Sequence, residues 1–84
     1  MAARTLRKTL RSRENDALIA IVVAAREEAG LSQRDLAALL RRPRSFVSRI
    51  EAGERRLDVV EFVMIAKALK LDPIDLFTRF VMRS

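Results

Sequence analysis

Between Leu31 and Gly53 the chain reads LSQRDLAALLRRPRSFVSRIEAG, and five arginines, Arg34, Arg41, Arg42, Arg44 and Arg49, fall inside that stretch. A guanidinium presents a planar fork of donors that suits the paired acceptors of a phosphate, a carboxylate or the O6 and N7 edge of guanine. Its charge is permanent, so the chemistry on offer is recognition of anions and acceptor edges, not proton transfer. The chain has no His and no Cys. That removes thiol chemistry, disulfides and the usual zinc ligands, and it is compatible with a reducing cytoplasm. No Ser, Lys or carboxylate cluster has a recognisable catalytic spacing. The expectation is a binding protein and not an enzyme, with no cofactor and no metal.

Such arginines recognise a target only if a scaffold holds them on one face, and the apolar pattern supplies that scaffold. The spacing predicts five helices and no strand. Ser12 followed by Glu14 and Asn15 marks a start, Leu18, Ile21, Val22, Ala25 and Ala29 recur at helical spacing, and Gly30 stops the first helix. Ser32 with Asp35 three residues on opens the second, whose buried stripe is predicted to be Leu36, Leu39 and Leu40. Pro43 is expected at the first position of the third, where a missing amide proton costs nothing. There Val47 and Ile50 face inward, and Gly53 ends the helix. Asp58 and Glu61 form a capping box for the fourth, with Val59, Phe62, Ile65, Ala66 and Leu69 on one side. Asp72, Pro73 and Asp75 start the fifth, where Leu76, Phe77, Phe80 and Val81 are expected to pack inward. Connections of about two to five residues leave no room for a linker. The third helix docked through its apolar side while its arginine-rich far side enters a major groove is the arrangement these residues point to, with double-stranded DNA as partner.

Charge placement agrees. The net charge of the 84 residues is +6. Residues 1–13 carry five basic side chains and no acidic one, residues 14–40 two against five, residues 41–56 six against two, and residues 57–84 four against four. A solvated face is the ordinary reading of any one basic segment; two of them, one coinciding with the paired helices, favour phosphate contact. Ribosomal and membrane-surface proteins share this balance. The longest apolar run, Ala17 to Ala25, is too short to span a bilayer. A soluble cytoplasmic protein without membrane contact is therefore expected. A chain of this length buries only roughly 60–65% of its unfolded surface, enough for one core. Residues 12–84 are read as that domain. Residues 1–11, with Leu6 and Leu10 four apart among Arg4, Arg7, Lys8 and Arg11, are read as a basic arm that is disordered, helical or laid along DNA.

Taken in order, Leu31-Ser32-Gln33, Leu36-Ala37, Ser45, Val47-Ser48-Arg49-Ile50-Glu51, Gly53, Arg56-Leu57-Asp58-Val59 and Ala66-Lys67-Ala68-Leu69 resemble the phage-repressor type of helix-turn-helix regulator, the Xre or Cro/C1 family. The resemblance covers about residues 14–80 and implies a compact all-α, lambda-repressor-like domain of five helices. It implies that Gln33 bonds a phosphate at the start of the second helix, that Arg44, Ser45 and Arg49 reach base edges, and that Ser48 touches a base or phosphate. Phe46 is placed on a thymine methyl or the sugar backbone, or else against the neighbouring helix. Arg26 and Glu51 match a pair that braces the first helix to the end of the reading helix, and Arg55 and Arg56 match a loop along the DNA backbone. The turn departs from the family pattern: where glycine and a small apolar residue are usual, it holds Arg41 and Arg42. A positive φ at Arg41 would cost free energy that glycine would not. In exchange, both side chains become candidates for backbone contact.

So small a head reads few base pairs, and a homodimer on a palindromic operator is expected. Ile19 and Val23, the pair Val60 and Met64, and the wide apolar arc of the fifth helix are available for dimer contact; the resemblance favours the carboxy-terminal set, Val60, Met64, Phe80 and Val81. The leading expectation is a transcriptional repressor or controller protein. The alternatives are an antitoxin that also binds a toxin partner, and an adaptor or membrane-surface protein that uses the basic tail without reading DNA.

Overall fold

The computed structural model describes residues 12–83, and within them the chain forms five helices and no strand: α1 (Arg13–Glu28), α2 (Gln33–Leu40), α3 (Arg44–Glu51), α4 (Val59–Ala68) and α5 (Pro73–Met82). The basic arm expected at residues 1–11 lies outside the described residues. α2 packs on α3 and α4, α1 on α3 and α5, and α5 on α4. Val22, Leu36, Ile65 and Leu76 are fully buried at the centre, and Val47, Phe62, Ala66 and Leu69 close around them.

Local chemistry explains where the helices begin. Ser12, Ser32, Asp58 and Asp72 are the N-caps of α1, α2, α4 and α5, each accepting a backbone N–H of the first turn. At α2 and α4 the box is complete, because Asp35 and Glu61 accept the amides of Ser32 and Asp58 in return. Caps of this kind contribute about 1 kcal/mol each. α3 differs: Pro43 is its N-cap with extended backbone (φ −61°, ψ 153°) and no side-chain bond. Pro43 thus sits one residue before the position expected of it, and the helix opens at Arg44.

The ends of α1 to α4 share one device. In each, a residue with left-handed backbone stands at the C-cap (α2) or just after it (α1, α3 and α4), and paired amide bonds return to the last turn, such as Arg42 N–H to the carbonyl of Ala37 and Leu71 N–H to that of Ala66. Gly30 and Gly53 fill this position after α1 and α3, at φ 74° and 76°. After α2 and α4 it is held by Arg41 (φ 57°) and Lys70 (φ 61°), residues with a Cβ that this conformation crowds.

Several expectations about packing do not hold. Leu39 is 57% exposed and lies on the rim of a groove with Ala29, Leu31 and Ala68, not in the buried stripe. Val59 is 79% exposed, although Glu61 and Phe62 in the same first turn of α4 are buried. On α5 only Leu76 is buried; Phe80 is half-buried, and Phe77 and Val81 are about half exposed. Phe77 instead meets Phe62 edge to face, with ring centroids 6.0 Å apart. Residues 52–58 also form a longer connection than predicted.

Candidate nucleic-acid interface

α3 is two-sided. Val47 and Ile50 are buried, whereas Arg44, Ser45 and Arg49 are exposed. The Ser48 hydroxyl is half-buried and donates to the carbonyl of Ser45 at 3.3 Å, which leaves only its lone pairs for a partner. Arg41 and Arg42 are exposed in the turn before α3, and Arg56 in the loop after it. Among the described residues none of these five arginines has a carboxylate within ion-pair distance; the pairs present are Arg26–Glu51, Arg55–Glu61 and, weakly at 3.6 Å, Arg79–Glu28. Five arginines without an ion pair among the described residues thus lie on α3 and in the segments on either side of it.

The far end of α3 is tied to α1 and α2. Glu51 accepts Arg26 Nε at 2.7 Å and a second Arg26 nitrogen at 2.9 Å, and Gln33 Nε2 donates to the same carboxylate at 2.8 Å. A third Arg26 nitrogen donates to the carbonyl of Leu31 at 2.8 Å. The side chains of Arg26 and Glu51 are only 11% and 6% exposed. In such surroundings a bidentate pair fixes geometry, and removal of either partner leaves a stranded charge. Gln33 keeps one amide proton and its carbonyl oxygen free of these bonds. It lines an open polar depression of about 520 Å³ with Arg26, Ser32, Arg34 and Arg44, beside the first turn of α2. Helix N-termini and guanidinium groups both favour an anion there.

On the other side of α3, the Phe46 ring is half-buried against the core. The Arg42 guanidinium lies 5.0 Å and that of Arg55 4.7 Å from its centroid. Arg55 also donates twice to Glu61, at 2.7 Å each, and once to the carbonyl of Arg56 at 2.9 Å. The Arg55 bonds hold the Glu61 carboxyl below its usual pKa range against the opposing effect of burial. Two residues grouped in the sequence as loop cations therefore differ: Arg56 is exposed and has no ion pair among the described residues, whereas Arg55 is engaged within the fold. Glu61 was legible only as a cap, since nothing periodic connects it to a loop arginine six residues earlier. The Gln33–Glu51 bond likewise carries no local signal.

Among the described residues, no group of three or more carboxylates could hold a metal, and no helix is long and apolar enough to cross a membrane. Residues 22–76 match the model of the family described as helix-turn-helix, and α2, the Arg41–Pro43 turn and α3 lie inside that match. The chain belongs to the Xre-type helix-turn-helix family. Members of this family are DNA-binding transcription factors, so this helix-turn-helix protein is not an enzyme. Among solved structures it is similar to an XRE-family like protein from Pseudomonas syringae pv. tomato str. DC3000, with 39% identity, a TM-score of 0.82, and coverage of 94% of this chain and 96% of the other. It is also similar to the restriction-modification controller protein C.Esp1396I, with 26% identity, a TM-score of 0.77, and coverage of 83% and 90%. The same controller has been solved as a tetramer in complex with its natural 35 base-pair operator, and that structure superposes with a TM-score of 0.76 at 26% identity, covering 83% and 92%. No curated protein matches the chain.

Proposed function

We propose that this helix-turn-helix protein is a sequence-specific DNA-binding transcriptional regulator that occupies a palindromic operator as a homodimer and acts as a repressor or controller protein. The observation that carries this reading is the exposed face of α3, where Arg44, Ser45 and Arg49 stand without carboxylate partners among the described residues while Val47 and Ile50 anchor the helix. A helix held in this way can enter the major groove and offer Arg44 and Arg49 to guanine edges. Gln33, Arg41, Arg42 and Arg56 surround it with donors for phosphate contact, and the operator-bound relative C.Esp1396I supports the same use of the fold.

Residues 12–84 are assigned as the DNA-binding domain, and the basic side chains of residues 1–11 as additional phosphate contacts. The apolar surface of α4 and α5 is assigned to the dimer. Val60, Met64 and Val81 are exposed there and Phe80 is half-buried, so a second copy would bring two reading helices to half-sites one helical turn, or a multiple of about 34 Å, apart.

Selection of bound sequences from a random duplex pool tests the whole reading. The expected result is a two-fold symmetric consensus, bound with an affinity that falls steeply with salt as counterions are released. Recovery of no enriched sequence would refute sequence-specific recognition, and an asymmetric single site would refute the dimer.

A further inference from the structure

We propose that Arg55 and Glu61 form a positioning pair that holds the Phe46 ring and, through it, aims Arg42 at a DNA phosphate, while Arg55 makes no DNA contact of its own. The inference rests on the DNA-binding reading and separates the roles of two arginines that the sequence alone places on one backbone path. The Arg55 guanidinium already spends three donor bonds on Glu61 and the Arg56 carbonyl, and it lies over the Phe46 ring. A phosphate drawn to it would meet the Glu61 carboxylate at the same site. Arg42 has no ion pair among the described residues; it lies over the same aromatic ring and within electrostatic reach of Glu61.

Two cations around one ring repel each other, and the negative face of the π-system offsets only part of that repulsion. Glu61 removes that conflict by neutralising Arg55. It is itself fixed, because its carboxylate also accepts the Asp58 amide at 3.1 Å in the capping box of α4. The chain of contacts therefore runs from a helix N-terminus through an ion pair and a ring to an unpaired cation in the turn before α3. Lysine could not replace Arg55 here, since it lacks both the fork and the planar face.

Glu61→Gln decides between a positioning and a contacting Arg55, because the two roles predict opposite signs. Glutamine retains the cap, as either residue serves at that position, but it releases Arg55. If Arg55 is a phosphate contact, loss of the neighbouring carboxylate tightens binding to the duplex that the wild-type protein selects from a random pool. If it positions Arg42, binding weakens by up to about eight-fold per protomer at 0.1 M salt, the factor 10^0.9 that one phosphate contact contributes relative to 1 M. The weakening must then vanish in an Arg42→Ala background. Phe46→Leu, which keeps apolar packing but removes the ring, is expected to show the same loss and the same dependence on Arg42, and it serves if Glu61→Gln does not fold. Tightened or unchanged binding, or a loss of equal size with and without Arg42, would overturn the inference. Failure of the wild-type protein to bind any duplex in a salt-dependent manner would overturn the DNA reading itself, and this inference with it.

Discussion

Replacement of Arg41 by glycine is expected to stabilise the fold and weaken its function at once. Arg41 sits at φ 57°, ψ 44° after α2, closing the turn that leads to the reading helix. An L-residue in the left-handed region costs about 1–2 kcal/mol, while glycine avoids the crowding of Cβ. Glycine loses more backbone freedom on folding, which offsets about 0.5–1 kcal/mol of that gain. The net stabilisation is about 0.5–1 kcal/mol, or about 2–8 °C in Tm for a domain of this size. The same change removes an exposed cation with no ion pair among the described residues. If Arg41 meets a phosphate, the slope of log K against log salt should shrink by about 0.9 per protomer. Two controls separate the effects. Arg41→Ala keeps the Cβ and the strain, so it should match glycine in lost DNA affinity but not in Tm. Lys70→Gly relieves the equivalent position after α4, at φ 61°, and should raise Tm without changing the salt slope. Thermal melts followed by circular dichroism and salt titrations of duplex binding read both quantities. A Tm for Arg41→Gly no higher than that for Arg41→Ala would refute the strain reasoning, and an unchanged slope would remove Arg41 from the phosphate path.

Three further outcomes follow from the same contacts. Glu51→Gln should destabilise the domain by about 3–5 kcal/mol, because it strands the buried Arg26 guanidinium; a denaturant midpoint near wild type would show that the pair is dispensable. The carboxyls of Glu61 and Asp35 are both held below their ordinary values of 4.5 and 3.8, Glu61 chiefly by its bonds from Arg55 and Asp35 chiefly by the backbone N–H of Ser32. Their stabilising contribution is therefore complete above those ordinary values and lost as pH falls through the lower folded ones. Glu61→Gln should accordingly flatten the acid limb of a Tm-against-pH profile, and an unchanged limb would contradict this. Val81→Lys, on the exposed apolar side of α5, should leave the fold intact yet yield a monomer by light scattering; a persistent dimer would place the interface elsewhere.

Arg49→Ala offers a separate check on base reading. Preference for the selected operator over random duplex should fall by the roughly 1–3 kcal/mol of a lost bidentate bond, whereas Arg56→Ala should weaken both equally. Equal losses on both duplexes for Arg49→Ala would remove Arg49 from the reading face.

What the amino-acid sequence determined by itself is local. Helix starts at Ser12, Ser32, Asp58 and Asp72 were legible because a cap and the amides it satisfies lie within three residues of each other. The inward positions of Val22, Leu36, Val47 and Ile65 follow from helical periodicity, and the missing glycine at Arg41 marks a strained turn. Periodicity says which side of a helix is apolar, however, and not how far its neighbour reaches. Leu39, Val59 and Phe77 share apolar stripes with buried residues and still lie beyond the edge of the core. Only the tertiary structure could bring Gln33 to Glu51, or Arg42 and Arg55 to one aromatic ring. These contacts depend on how α2, α3 and the 52–58 loop meet, and no residue spacing encodes that meeting. The sequence thus supplied the arginines, and packing decided which of them remain free to bind.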